Sequence, residues 1–309
     1  MTTAVTLEIG GAEHNATFTA SKIPAILGVA PPNWETSKSI WMKMAYPECF
    51  PTKPSNRQQR RGKTLEAGLM DLWFVDNPEW ERFGGEQTFA RHDLGFPAAA
   101  TPDDDATNTK TGEQVGIENK VVSRDDKKLW GKPGTDQIPV YYFFQAMWQM
   151  HMSGRRRTLV IKNGPYIDQQ DTFVVHYQPD IADTIEAKVR AFHLSVLAKE
   201  EPVNDGNEAT LRAVQRVYSG IKEADEWEVS LDMGIALEEA RIATKTIKAE
   251  LTKAQADILG SVGTAKTIKC GGQIIGNRRA TKAGASLYPP TIDVDLEALY
   301  ELRDNQAAA

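Results

Sequence analysis

The sequence predicts a mixed α/β core, an α+β arrangement with a central mixed sheet flanked by helices, followed by a helical C-terminal extension with a β-hairpin. Three observations carry this. Over residues 1–200, runs with the two-residue alternation of strands interleave with runs of helical period. A composition of 41% hydrophobic and 25% charged residues is that of a globular chain with a core to bury. Past the polar break at Glu201-Pro202-Val203-Asn204-Asp205-Gly206 the composition turns to Ala, Glu, Lys and Ile, as in a long helix. Two regions are therefore expected, 1–200 and 201–309, within the range that 309 residues allow.

Residues 5–19 read as a hairpin around Gly10-Gly11, and Ser21 as the N-cap of a short helix, Lys22–Leu27, closed by Gly28. Pro31-Pro32 forces a loop before a helix over Thr36–Ala45. Residues 56–75 place Leu65, Leu69, Leu72 and Trp73 at i, i+4, i+7 and i+8, one helical stripe. Strand-like runs follow at Glu86–Ala90, Phe96–Thr101 and Gln114–Val122. Pro139 opens an aromatic and Met-rich helix over Val140–Met152, whose large side chains read as core. Strands at Thr158–Lys162 and Thr172–Tyr177 flank a turn at Asn163-Gly164-Pro165, and a helix covers Ile181–Ala198. In the second region a helix spans about 228–258, placed for packing or subunit contact. A β unit follows around Gly271-Gly272.

Several function classes drop out. No run approaches the roughly 18 apolar residues of a membrane helix. Met1-Thr2-Thr3-Ala4 begins no basic-then-apolar leader, so a cytoplasmic protein is expected. Cys49 and Cys270 are too far apart in sequence for a zinc motif and too few for an iron–sulfur cluster. The five histidines have no metal-ligand spacing, and there is no Walker loop, GxGxxG or nucleophile elbow.

What remains is a set of separated motifs. In Gly116-Ile117-Glu118-Asn119-Lys120 the alternation of a strand puts Glu118 and Lys120 on one face and Ile117 and Asn119 on the other. A carboxylate there suits a hard cation, and an ammonium beside it can orient water or meet a phosphate oxygen. Thr101-Pro102-Asp103-Asp104-Asp105 lies upstream, and Asn108-Thr109-Lys110-Thr111-Gly112 reads as the turn that pairs the two segments. Either Asp103 or Asp104 would then meet Glu118; Pro102 favours Asp103. Arg61-Gly62-Lys63-Thr64-Leu65-Glu66 precedes them on a helix, with Gly62 leaving space one turn before Glu66. Tyr141-Tyr142-Phe143-Phe144-Gln145 follows, with Gln149 one turn on and Ser153-Gly154 beyond.

Pro-Asp, a turn and Glu-x-Lys is the pattern of the PD-(D/E)xK nuclease superfamily, with its restriction-endonuclease-like core. With Ser21 to Gly28, Trp41, Trp130 and the 61–66 and 141–154 motifs in order, residues 18–198 resemble the YqaJ-like viral recombinases, which include the lambda-type alkaline exonucleases. That resemblance implies a Mg²⁺ site, Mn²⁺ being an alternative, with two ions. Asp103, Glu118, the backbone carbonyl of Asn119 and Glu66 would be its ligands. It makes Lys120 the residue that orients the attacking water and Gln145 the one that faces the scissile phosphate. It further implies degradation of linear double-stranded DNA from 5′ ends to leave 3′ single strands. A single-strand annealing protein and a trimeric ring are the implied partner and assembly, in a phage or prophage protein of a bacterial cell. The chain departs from the family at Asn119, usually apolar, at Asp104, often glycine, and at His14, where lambda-type members carry an arginine for the 5′ phosphate. Alternatives on the same core are an endonuclease or repair nuclease, or a DNA-binding recombination accessory protein without catalysis.

The net charge of −6 would by itself argue against DNA. Its distribution argues otherwise: residues 53–63 carry +5, 119–132 carry +3 and 151–162 carry +4. Phosphate binding depends on such local charge. Ser21, Lys22, Arg60, Arg61, Lys63, Arg124 and Lys127 are the expected DNA contacts, with Trp34 and Trp41 as candidate wedges at the rim.

Overall fold

The computed structural model describes residues 2–5, 12–51, 57–122, 129–164, 169–282 and 284–307. The chain divides into two units, Met1–Gly220 and Ile221–Ala309. The first unit begins with β1 (Thr2–Val5), α1 (Ala12–Ala16), α2 (Ile23–Ile26), α3 (Ser37–Ala45) and α4 (Arg57–Asp76). It continues through β2 (Trp80–Arg82), β3 (Thr88–Arg91), β4 (Ala98–Ala100), β5 (Asp104–Asn108) and β6 (Gln114–Val121). Then come α5 (Val140–Ser153), β7 (Arg157–Asn163), β8 (Gln170–His176), α6 (Pro179–Ala198) and α7 (Glu208–Val217).

A five-stranded sheet in the order β2-β5-β6-β7-β8 organises this unit. β5 and β6 are antiparallel, as the turn chemistry predicts. Asn108 Oδ1 accepts from the amides of Lys110 and Thr111 at 3.0 and 3.1 Å, and Gly112 takes a positive φ of 73°. β6 and β7 are parallel and so need a crossover, which α5 supplies. α5 stops at Gly154, left-handed at φ 77°. The mixed sheet with helices on both faces is the fold class the sequence predicts.

Alternation along β6 and β7 divides the core in two. Val115, Ile117, Leu159 and Ile161 pack with Met70 and Trp73 of α4. Val160, Phe173 and Val175 pack on the other face with Met147, Trp148 and Met150 of α5 and with α6. The Met and aromatic run of α5 is thus core, as expected. Trp148 Nε1 also donates to the carbonyls of Phe18 and Ala99, both at 3.2 Å, tying the small β1-β3-β4 sheet to the same helix.

Asn119, on the α4 face, lies in a buried polar ladder and not against solvent. Its Oδ1 accepts from Asn163 Nδ2, Asn163 Oδ1 accepts from Gln170 Nε2 at 2.8 Å, and that amide also reaches the Leu69 carbonyl of α4. Asn119→Ala is therefore expected to destabilise the protein by about 1–3 kcal/mol in urea unfolding, because it leaves the Asn163 amide buried without its acceptor.

Three expectations are corrected. Among the described residues of 5–19 there is no hairpin: Thr2–Val5 pairs with β3 instead, and Ala12–Ala16 is helical. Gly10-Gly11 lies outside the described residues. Ser21 caps nothing; it sits inside a 3₁₀ turn, Ala20–Lys22, that leads into α2. The first unit runs to Gly220, past the break expected near 200, because α7 packs on it, with the Thr36 and Thr210 hydroxyls 2.6 Å apart.

The second unit holds α8 (Leu231–Ser261), an antiparallel sheet of β9 (Thr267–Cys270), β10 (Gln273–Thr281) and β11 (Gly284–Tyr288), and α9 (Leu296–Ala307). The Ser230 hydroxyl caps α8 by accepting from the Met233 amide, and none of the helix is buried. The expected hairpin is thus a three-stranded sheet, and α9 was not legible in the sequence. Among the described residues no helix is long and apolar enough to cross a membrane.

Candidate active site

Register decides which aspartate joins Glu118. Asp104 pairs with Ile117 across the β5–β6 hairpin, and the Asp103 amide donates to the Ile117 carbonyl at 3.0 Å. Asp103 therefore shares the Glu118 side of the sheet, and Asp104 the Ile117 side. Asp103 Oδ2 accepts from the Asn119 amide at 2.7 Å. Asp104 is spent on structure: its carboxylate accepts from Arg82 Nε at 2.7 Å and from the Asp105 amide at 2.9 Å.

Glu118, only 2% exposed, faces α5. Its Oε1 accepts from the Lys120 ammonium and from Gln145 Nε2, its Oε2 from Gln149 Nε2. Glu66 comes from α4 and lines the same cavity as Asp103. A Cβ built on Gly62 meets nothing within 4 Å, so the space expected beside Glu66 is present. A cavity of about 260 Å³ opens here between Lys63, Glu66, Met70, Arg82, Asp103 and Asp104.

The electrostatics follow from this crowding. Burial, then the negative charges of Glu118 and Glu66, push the Asp103 carboxyl well above the ordinary range, against the pull of Lys120 and the Asn119 amide. Burial also raises Glu66, helped by Glu118 and Glu86. Burial alone would lower Lys120, but Glu118 and Asp103 outweigh it and hold the ammonium charged. Lys120 also sits 4.8 Å from the centre of the Tyr142 ring.

These donors suit a hard divalent cation: three carboxylates and a backbone carbonyl, all oxygen, repelling one another. Among the described residues no three acidic, His or Cys groups already close into a metal cage. Glu118 Oε1 takes two protein donors and Oε2 one, which leaves Oε2 a lone pair for a cation.

The structure brings together Glu66, Asp103, Glu118, Lys120 and Gln145. Sequence reasoning gave Gln149 no role; the signal was its i, i+4 relation to Gln145 in an otherwise apolar helix.

The expected DNA contacts fare unevenly. Trp41 is fully buried, its Nε1 donating to Ser195 Oγ at 3.2 Å, so it offers no ring face to DNA. Trp34 is the tryptophan at the rim: 36% exposed, 6.1 Å from the Tyr142 ring and 5.3 Å from Tyr141. Lys22 is buried, and its ammonium donates to the carbonyls of His14, Asn15 and Thr17 at 2.6, 2.9 and 2.7 Å. It has no hydrogen left for a phosphate. Burial and the Lys22 charge lower the His14 imidazole, which is thus neutral at pH 7 where the resemblance calls for an arginine.

Three of the four cations of the 151–162 run are likewise taken up by the fold, Arg156 remaining exposed over the Tyr177 ring. Arg155 reaches Asp105 and Gln114, Arg157 pairs with Glu113, and Lys162 lies 3.5 Å from Asp171. Ser21, Arg60 and Lys63 are exposed, Lys63 with one long contact of 3.7 Å to Glu86. Arg61 lies on the backbone of α4, and Arg124 and Lys127 lie outside the described residues.

Comparison with known proteins gives the following. An alkaline exonuclease from Laribacter hongkongensis aligns with 18% identity and a TM-score of 0.49, covering 62% of this chain and 94% of that one. A phage-related exonuclease from Haemophilus somnus 129PT aligns with 13% identity and a TM-score of 0.42, covering 59% and 96%. No curated protein matches. Residues 12–156 match the model of the YqaJ-like viral recombinase domain, a span that contains every motif brought together at the site. The likeness read from the motifs therefore holds: residues 12–156 are similar to the YqaJ-like viral recombinase domain.

Proposed function

We propose that the protein is a Mg²⁺-dependent exonuclease that degrades linear double-stranded DNA from 5′ ends, leaving 3′ single strands for annealing-type recombination. The observation that carries this is the convergence of Asp103, Glu118 and Lys120 on one sheet face, with Gln145 above and Glu66 alongside. The match of residues 12–156 to the YqaJ-like viral recombinase domain supports the substrate class.

Asp103, Glu118, the Asn119 carbonyl and Glu66 would hold the ions. When bound, such ions lower the pKa of water and neutralise charge on the phosphorane-like transition state. The chain's own groups do the positioning. Lys120, held charged by its carboxylates, can orient a water or donate to a phosphate oxygen. The Gln145 amide lies within reach of the same place. Trp34 and the exposed Arg60 and Lys63 are the contacts we assign to DNA near the site. Exposed Leu237, Ile247 and Leu251 on α8 favour a subunit contact, consistent with a ring.

One observation favours a second reading: both Glu118 oxygens accept from protein donors, as they would in a binding-only relative. A single assay separates the readings. Linear duplex labelled at either the 5′ or the 3′ end, and closed circular duplex, are incubated with Mg²⁺ and with excess chelator. We expect Mg²⁺-dependent release of the 5′ label and an intact circle. Cleavage of the circle would make the protein an endonuclease. Binding without cleavage at any Mg²⁺ level would make it an accessory protein. Native mass spectrometry tests the trimer.

A further inference from the structure

Residues 258–292 contain Lys266, Lys269, Arg278, Arg279 and Lys282 and not one Asp or Glu. In a chain of net charge −6 this is a second basic region, remote in sequence from the site. The structure sorts it by face. β10 pairs with both β9 and β11, and the register puts Ile268, Gly276, Arg278 and Leu287 on one side. That side is closed: Ile268 is buried, and a Cβ at Gly276 would lie 2.7 Å from a Leu287 methyl. Arg278 serves it by donating to the carbonyls of Gly263 and Ala265 at 2.5 and 3.1 Å.

The opposite side presents Thr267, Lys269, Ile274, Asn277, Arg279, Thr281, Ser286 and Tyr288. Lys269, Ile274, Arg279 and Tyr288 are exposed there, with Lys282 at the adjoining turn. Among the described residues no carboxylate pairs with Lys269, Arg279 or Lys282. The Arg279 guanidinium lies 4.9 Å from the centre of the Tyr288 ring, a diagonal pair on one face. Where Ile274 and Asn277 meet the chain after β11, a cavity of about 240 Å³ opens, walled also by Pro290, Ile292 and Asp293, whose carboxylate can accept from a base amino group but not face a phosphate. The Gln273 amide stiffens its wall by bonding both backbone groups of Asp295, at 2.9 and 2.8 Å.

Unpaired cations with an exposed ring and an apolar slot beside an amide suit a polyanion that also offers flat, unstacked faces. Duplex DNA offers the phosphates but keeps its bases stacked. A single strand offers both, and base–aromatic stacking is worth roughly 1–3 kcal/mol per base. We propose that this face of the β9–β11 sheet binds single-stranded DNA. The backbone runs along Lys269, Arg279 and Lys282, and a base lies against Tyr288 or enters the cavity. This site lies outside the catalytic group, and its test uses no cleavage.

The test is fluorescence anisotropy with the full chain, in chelator, using labelled oligothymidine and a labelled blunt duplex. The triple variant Lys269→Glu, Arg279→Glu, Lys282→Glu is expected to raise the Kd for oligothymidine at least about tenfold. It should also flatten the slope of log affinity against log salt by about 2, three lost phosphate contacts at roughly 0.7 each. Tyr288→Ala should raise that Kd by about fivefold or more. Duplex affinity should stay within about twofold in both. The corresponding triple glutamine variant guards against misfolding, which circular dichroism would reveal, and should show a smaller loss of the same kind. Unchanged oligothymidine affinity in the triple variants would overturn the proposal. An equal loss on duplex and single strand would overturn it in favour of a general phosphate-binding patch.

Discussion

Asp103→Asn is expected to reduce Mg²⁺-dependent cleavage of linear duplex by about 10³-fold or more while leaving the protein at least as stable. The two halves of that outcome have separate physical origins. Asp103 sits against Glu118 and Glu66, with a carboxyl that burial and both neighbours push upward, so its charge works against the fold without a metal. Asparagine keeps an oxygen for the Asn119 amide, now 2.7 Å away, and removes that charge. The melting temperature should therefore hold or rise. Catalysis should collapse, because a carboxylate proposed to hold the ions is gone, and roughly 4 kcal/mol of transition-state stabilisation corresponds to 10³ in rate. Lys120→Ala should give a comparable loss, through water and phosphate positioning. Wild-type cleavage by either variant would remove the proposed mechanism. A cleavage loss accompanied by unfolding in Asp103→Asn would show that the carboxylate serves the fold.

Lys22→Met is expected to do the reverse, weakening the fold and sparing DNA. Its ammonium is the partner of three backbone carbonyls, and methionine offers them nothing. The expected loss is roughly 2–4 kcal/mol in urea unfolding. DNA affinity of the folded variant should stay within about twofold. Burial and the nearby Lys43 lower this lysine to about 7, whereas in the unfolded chain it titrates near 10.5. Between those values the unfolded state binds more protons, so this group contributes a stability that rises with pH. The deficit of Lys22→Met relative to wild type should accordingly grow from pH 7 towards 10.5. A deficit that is flat with pH would mean that the three carbonyls keep the full charge in place. A large drop in DNA affinity with no loss of stability would return Lys22 to the DNA surface.

Much of the candidate site was legible because its geometry is local. The Asn108–Gly112 turn fixes which strands pair, period two puts Glu118 and Lys120 on one face, and helical period puts Gln145 and Gln149 one turn apart. Those relations hold within about four residues or across one tight turn, where backbone geometry alone is decisive. Glu66 was legible only through the order of motifs, since nothing local relates α4 to the hairpin. In the second unit, the basic composition of 258–292 was visible but not which cations share an open face. That depends on the register of β10 against two partners and on Arg278 turning back to loop carbonyls.

By itself the sequence determined the strand–turn–strand that carries Asp103, Glu118 and Lys120, the helix that covers it, and the family likeness of residues 12–156. Only the tertiary structure decided between Asp103 and Asp104, between Trp34 and Trp41, and between a phosphate contact and three carbonyls for Lys22. It also engaged Arg155, Arg157 and Lys162 of the basic run in ion pairs with Asp105, Glu113 and Asp171. The reason is common to all of these. Spacing sets the direction in which a side chain leaves the backbone, but its partner comes from segments many residues away. Burial then makes that partner obligatory, because a polar group taken out of water has to be satisfied by whatever the fold brings to it.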